Sequence, residues 1–332
     1  MISDLLPSIE SELQRQAARL DQPRTRPFHE MLTYHMGWTG EGAGPEATGK
    51  RIRPLMLLLV TAACGAEWTC ALPAAAAVEL VHNFSLAHDD IQDNSPRRRG
   101  RPTLWVRWGM PMAINAGDAL FVLSNQAMLD LLEFHPSERV VRAASILHDT
   151  CLDLTSGQYL DMSYEERHDL GVDDYWPMVG GKTAALLAAC CHIGALLGGA
   201  DETRQEAFRT FGQNLGLAFQ VQDDILGIWG DEALTGKSAA SDLVEGKNSL
   251  PVLYGLSQDG PFAQRWKQGH IQPNEVAQVA QWLVEAGGYD YAQKQAEHWT
   301  SQALQNLAAA APQGEAGQIL TGLAHKLLKR KQ

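Results

Sequence analysis

The sequence has no CxxC pair, and its five cysteines (Cys64, Cys70, Cys151, Cys190, Cys191) are an odd number. Neither a disulfide framework nor a zinc site is expected, and a reducing, cytoplasmic compartment fits. The opening Met1-Ile2-Ser3-Asp4 puts an acid where a signal peptide needs a basic end. No stretch alternates with period two for long enough to announce a strand. Gly-x-Ser-x-Gly, His-Glu-x-x-His, strand-borne Gly-x-Gly-x-x-Gly and Walker spacings are all missing, which leaves covalent catalysis and nicotinamide chemistry without support. Positive charge is also scarce: 27 Lys and Arg against 39 Asp and Glu give a net charge of −12, which argues against nucleic acid as the main partner. An acidic surface kept for solubility accounts for most of that charge.

What is present is helix-forming. Hydrophobic residues make up 45% and charged residues 20% of a chain rich in Ala and Leu, the profile of a globular helical protein. Residues 3–36 read as an amphipathic helix broken near Pro23 and Pro27, and the Gly-rich stretch 37–49 as a loop. Helices are predicted over 53–63, from Pro73 to about Asp93, and over 111–134, 137–161, 173–198, 202–228, 274–287, 290–310 and 315–330. Residues 94–103, with Pro96, Gly100 and Pro102, read as a loop. The low-charge stretch 183–200 is rich in Ala and Gly and holds His192, so a buried helix is expected there, with no transmembrane segment. No linker divides two compositions, so residues 1–332 read as one all-α domain.

An echo stands out: His88-Asp89-Asp90-Ile91-Gln92-Asp93 and Gln222-Asp223-Asp224-Ile225-Leu226-Gly227. Asp89 and Asp93, spaced i,i+4, share a helix face, with Asp90 beside them. Like charges near a helix C-terminus cost roughly 1 kcal/mol or more. A divalent cation reverses that cost, and carboxylates with room for water suit Mg²⁺. Taken alone, the cluster reads equally well as a solvated helix end. Its context favours metal: Phe84, Leu86 and Ala87 bring the helix out of a core, His82 lies two turns up the same face, and Arg97-Arg98-Arg99-Gly100-Arg101-Pro102 follows. A diphosphate held through Mg²⁺ calls for both signs, with guanidinium forks for the remaining oxygens.

Asp223 and Asp224 again end a largely apolar run. Gly236-Lys237 and Gly246-Lys247 follow ten residues apart, while Gly49-Lys50-Arg51-Ile52-Arg53-Pro54 and Gly181-Lys182-Thr183 add further basic turns. Each Gly-Lys alone reads better as a turn with a solvated lysine. Together they offer point charges for two diphosphates.

These elements in order resemble the trans-prenyltransferases, or polyprenyl diphosphate synthases, from about Gly49 to Pro251. The carriers are Gly-Lys-Arg-Ile-Arg-Pro at 49–54, His82, Asp-Asp-Ile-Gln-Asp at 89–93, Arg-Arg-Gly-Arg-Pro-Thr at 98–103, Gly117-Asp118, Gly157-Gln158, Lys182-Thr183, Phe-Gln-Val-Gln-Asp-Asp at 219–224, Gly230-Asp231, Gly236-Lys237 and Gly246-Lys247. The resemblance implies an all-helical barrel of the isoprenoid synthase type around a deep cavity, usually a homodimer, with the two aspartate clusters facing each other at its mouth. It implies two Mg²⁺ on Asp89 and Asp93, with Asp90 in the same carboxylate set, and a third on Asp223. Arg98, Lys182 and Lys237 would hold an allylic diphosphate, with Lys247 nearby. Lys50, Arg53, His82 and Arg99 would hold isopentenyl diphosphate, and Thr183 and Gln220 would line the cation site. Where the family's second cluster ends in a third aspartate, this chain has Gly227.

In this family the residues four and five before the first aspartate set product length, and here they are Ser85 and Phe84. One aromatic beside a small residue is similar to one class of geranylgeranyl (C20) diphosphate synthases; farnesyl (C15) and longer products are the alternatives. A helical wheel places Ser85 near the carboxylate face but Phe84 roughly 140° away, so Phe84 as ordinary core stays open. A class I terpene cyclase would carry an Asn/Asp-x-x-Ser/Thr-x-x-x-Glu triad, which residues 223–231 do not give. A non-catalytic modulatory subunit would have lost the first cluster or its arginines.

Overall fold

The computed structural model describes residues 1–165, 167, 169–230 and 240–328. The described residues fall into two compact units. The first comprises Met1–His148, Cys190–Gln205 and Pro312–Leu320; the second comprises Asp149–Ala189, Glu206–Ala311 and the chain from Thr321.

The first unit is built on α1 (Ile2–Ala17), α2 (Arg26–His35), the short α3 (Pro45–Thr48), α4 (Ile52–Ala63), α5 (Leu72–Gln92), α6 (Leu104–Trp108) and α7 (Met110–Asp130). Helix α4 is apolar almost all round, and residues 55–60 (Leu, Met, Leu, Leu, Leu, Val) are buried, as in a helix surrounded by others. Burying each such side chain contributes about 1.5–3 kcal/mol. The tetra-alanine of α5, Ala74–Ala77, is fully buried; small side chains let neighbouring helices approach closely there.

A buried polar chain pins α1 to this core. Trp38 Nε1 donates to Glu10 Oε2 at 2.7 Å, Arg51 Nε to Glu10 Oε1 at 2.6 Å, and Arg51 Nη1 to Glu79 Oε1 at 2.7 Å. Asn83 Nδ2 then donates to the Glu79 carbonyl at 2.8 Å and to its Oε1 at 3.0 Å. Arg51 and Glu79 are both nearly inaccessible, so removing Arg51 would strand the Glu79 charge at a cost of about 3–5 kcal/mol.

The basic loop after α5 differs from expectation. It contains a two-stranded antiparallel hairpin, β1 (Arg97–Arg98) and β2 (Arg101–Pro102), with Arg98 paired to Arg101. Arg99 and Gly100, at φ +50° and +75°, form a two-residue turn of the primed type that suits the strand twist. Strands of two residues are too short for periodicity to reveal. Arg101 fastens the hairpin: its guanidinium donates to the carbonyls of Tyr34, Thr39 and Glu41 and lies 3.9 Å over the Tyr34 ring.

From α8 (Ser137–Tyr164) the chain passes to α9 (Val172–Val179), a π-helical turn (Gly180–Ala184), α10 (Ala185–Leu197) and α11 (Glu202–Trp229). Then follow α12 (Ser241–Val244), α13 (Leu250–Leu256), α14 (Pro261–Trp266), α15 (Val276–Glu285), α16 (Gly288–Ala309) and α17 (Gly314–Leu328). The core of the second unit gathers Tyr175, Met178, Val179, Leu217, Val221, Ile225, Leu250 and Leu253. The expected single helix over 173–198 is interrupted by the π turn, and α13 and α14 are too short for a periodic signal. Two runs, Trp68–Gln92 and Val172–Leu197, are long and apolar enough to cross a bilayer, yet 67% of each apolar window is buried within the chain, as in core helices.

Candidate active site

In the first unit, α5 ends in the Asp89–Asp93 cluster as the spacing predicts. Asp89 is half-buried and Asp93 exposed, and the Asp93 N–H closes the last turn on the Asp89 carbonyl at 2.8 Å. Asp90 was expected with the metal carboxylates; instead it turns inward, 2% exposed, and its Oδ1 accepts from Arg98 Nε at 2.8 Å. Burial raises the Asp90 carboxyl above its usual range, against the pull of Arg98.

The predicted isopentenyl diphosphate residues also come together in this unit. Arg53 Nη1 lies 3.3 Å from His82 Nε2. A guanidinium only donates, so Nε2 accepts and the proton sits on Nδ1. Burial holds His82 well below the usual imidazole range, and the fields of Arg53, Arg99, Arg98 and Arg51 push the same way. Four arginines thus bear on one histidine, although Arg51 is itself paired with Glu10 and Glu79. Arg99 Nη1 donates to the Ala47 carbonyl at 2.8 Å. Its guanidinium lies against Gly49, where a β-carbon would sit 2.6 Å from Arg99 Nη2, and Lys50, the next residue, is exposed.

The residues of the second unit meet around the π turn. Gly157 of α8 lets the turn approach backbone to backbone: a β-carbon there would lie 2.2 Å from the Lys182 nitrogen. Lys182 Nζ pairs with Asp161. Thr183 Oγ1 donates to Gln220 Oε1 at 2.9 Å, and Gln220 Nε2 donates to Asp224 Oδ1 at 2.9 Å. Asp224 is buried and also accepts from Tyr175 Oη at 2.8 Å and from the Leu250 N–H at 2.9 Å, so it is a structural anchor. Burial raises its pKa to about 6. Asp223, one residue earlier, is half-buried.

Gly227, the departure from the family pattern, has a physical reason. A β-carbon there would lie 2.0 Å from Asp242 Oδ2. Lys247 Nζ sits 3.6 Å from Asp242 and 2.6 Å from Glu245. Lys237 lies outside the described residues.

Among the described residues no three His, Cys, Asp or Glu side chains gather closely enough to hold an ion alone. The donors at hand in the first unit are the hard carboxylate oxygens of Asp89 and Asp93, one helical turn apart at the end of α5. Such donors fit Mg²⁺, which takes one or two carboxylates and completes its shell with water and phosphate oxygens.

Phe84 packs edge-on to His88 at 5.0 Å and against Phe121 of α7 at 5.1 Å, and Ser85 Oγ returns to the His82 carbonyl at 2.9 Å. Sequence reasoning missed Asp161, Tyr175 and Phe121. Asp161 stands one helical turn after Gly157 in the Gly157-Gln158 element, a spacing that pointed to it; Tyr175 and Phe121 left no local signal.

The family model described as polyprenyl synthetase matches residues 44–286. The chain is 37% identical to a (2E,6E)-farnesyl diphosphate synthase of Mycobacterium tuberculosis over 96% of its own length and 89% of the relative's. It is 38% identical to a geranylgeranyl diphosphate synthase of the same organism, over 92% and 87%. A solved geranylgeranyl pyrophosphate synthetase from Pyrococcus horikoshii superposes with TM-score 0.87 at 30% identity, covering 99% of both chains. The chain belongs to the polyprenyl synthetase family, with the all-α isoprenoid synthase fold, and is a prenyltransferase of the short-chain trans type.

Proposed function

We propose that the chain condenses isopentenyl diphosphate head to tail with an allylic diphosphate, giving an all-trans C20 product, geranylgeranyl diphosphate. The observation that carries this reading is the first unit's pairing of an exposed carboxylate face with a cluster of arginines around neutral His82. Lys50, Arg53, His82 and Arg99 hold the isopentenyl diphosphate, with Arg53 and Arg99 supplying donor forks. Arg98, Lys182 and Lys237 hold the allylic diphosphate, with Lys247 nearby. Lys182 leaves Asp161 when that anion arrives.

Asp89, Asp93 and Asp223 would hold Mg²⁺, three ions with substrate in place, which would supply Lewis-acid stabilisation of the departing diphosphate. The cationic side chains stabilise the same charge electrostatically. As the allylic C–O bond breaks, the isopentenyl double bond attacks the cation and a C–C bond forms. The lost proton goes to the released diphosphate, so no side-chain base is required. Thr183 and Gln220, locked to each other and to Asp224, would line the cation site.

Ser85 beside a single aromatic, Phe84, supports C20. C15 is the second reading, because the relative named a farnesyl diphosphate synthase is as similar as the one named for C20. The family model runs through both units as one span, which supports a single functional domain. A homodimer is part of the proposal: Val122, Leu129, Leu132, Phe134 and Val141 of the first unit are all exposed, an apolar surface that a second copy would cover. The free cysteines support a cytoplasmic setting.

The test is product mass after incubation with Mg²⁺, isopentenyl diphosphate and each allylic starter in turn. A C20 product is expected; a C15 product would replace the first reading by the second, and a cyclised hydrocarbon would overturn both.

A further inference from the structure

His88 has a place in the fold that the diphosphate chemistry does not use. It stands near the end of α5, and its side chain, 25% exposed, reaches across to α7. Nε2 lies 3.1 Å from the Ile114 carbonyl oxygen. A carbonyl only accepts, so Nε2 carries the hydrogen and donates it. Asp118 Oδ1 is farther away, at 3.7 Å. The imidazole fills the cradle left by Gly117: a β-carbon there would lie 2.3 Å from His88 Nε2 and 2.4 Å from Cδ2. Any side chain at 117 would have to push the ring away. One turn back on the same face of α5 stands Phe84. Its ring meets the imidazole at 5.0 Å with 75° between the planes, the edge-on arrangement that aromatic rings prefer. On α7, Phe121 stands one turn after Gly117 and packs against Phe84 at 5.1 Å. Two i,i+4 pairs therefore face each other, His88 on Gly117 and Phe84 on Phe121. Phe84 is held by a ring from each helix, and the imidazole is itself fastened to α7.

We propose that His88 is the positioning residue of Phe84 and, through that ring, sets the depth open to the growing prenyl chain. The inference rests on the reading of Phe84 as the residue that limits product length. With the imidazole clamped between Gly117 and the Ile114 carbonyl, the Phe84 ring has a fixed edge to lean on. Without the imidazole, the ring can swing into the vacated space, because a packed interior relaxes toward a cavity. The limit then recedes and a longer chain fits. Gly117 belongs to the same device from the opposite helix, since a methyl group there displaces the imidazole.

The experiment measures product masses of the full chain at equal conversion, with Mg²⁺, isopentenyl diphosphate and each allylic starter, beside the thermal midpoint. The variants are Phe84→Ala, His88→Ala, His88→Gln, Gly117→Ala and the double Phe84→Ala/His88→Ala. In His88→Ala the share of product at least one isoprene unit longer than wild type's should rise about two- to tenfold, the worth of one edge-on ring contact. His88→Gln keeps a donor for the Ile114 carbonyl but has no ring, so it should lengthen the product as well. Gly117→Ala should act in the same direction. The double should reach no further than Phe84→Ala alone, because His88 acts through Phe84. A merely structural His88 would lower the midpoint and turnover and leave product lengths as in wild type, and that result would overturn the proposal. A double that outreaches Phe84→Ala would overturn it too. Should His88→Ala not fold, His88→Gln and Gly117→Ala decide, and wild-type lengths in both refute the proposal. An unchanged product in Phe84→Ala removes the reading of Phe84 and this inference with it. Wild type that forms no prenyl diphosphate would sink the proposed activity itself.

Discussion

The Asp242 carboxylate occupies the space where a side chain on Gly227 would have to begin, its Oδ2 2.0 Å from the position a β-carbon would take. Gly227→Asp, which restores the family's more common residue, is therefore expected to harm this chain. Overpacking costs about 1–3 kcal/mol, with repulsion between two carboxylates added. Thermal denaturation should show a lower midpoint together with reduced turnover. An unchanged midpoint would mean that Asp242 moves aside freely.

Gly157→Ala probes the contact between α8 and the π turn. Its β-carbon would meet the Lys182 nitrogen at 2.2 Å, and backbone cannot give way as a flexible side chain can. A stability loss of about 1–3 kcal/mol is expected, accompanied by a raised KM for the allylic diphosphate as Lys182 shifts. Wild-type stability and KM would contradict the close approach.

His35 gives stability a pH dependence. Its Nε2 is bonded to the Asn83 carbonyl at 3.0 Å, and burial lowers its pKa from 6.5 to about 3. The unfolded chain takes up this proton below pH 6.5, whereas the folded chain does so only near pH 3. The contribution to stability is thus fully present above pH 6.5 and is lost as pH falls toward 3, by up to about 1.4 kcal/mol per pH unit. Urea unfolding at pH 7 and pH 5 should show a loss smaller by about 2 kcal/mol in His35→Gln than in wild type. Equal losses would contradict it.

Helices long enough to carry a 3.6-residue period were legible in the sequence, among them α1, α5, α7, α8, α11 and α16. The breaks were not: the π turn over Gly180–Ala184 arises where backbones meet at Gly157, a contact between residues far apart in the chain. Arg53 and His82 were legible as partners only through the family resemblance, and the structure puts them 3.3 Å apart. The inward turn of Asp90 and the packing of Phe84 on Phe121 depend on which face of α5 meets α7, which local spacing does not encode.

Phe84→Ala is expected to lengthen the product by at least one isoprene unit, because it removes the ring that packs against Phe121 and His88. Mass analysis of products from each allylic starter reads the change. An unchanged product would leave Phe84 as ordinary core.

The most direct test of the account is diphosphate release from dimethylallyl diphosphate and isopentenyl diphosphate, followed with Mg²⁺, with excess chelator, and in Asp89→Ala. Metal-assisted departure predicts turnover that vanishes on chelation, returns with Mg²⁺, and falls by about 10²-fold or more in Asp89→Ala. Turnover that persists both under chelation and in Asp89→Ala would contradict it.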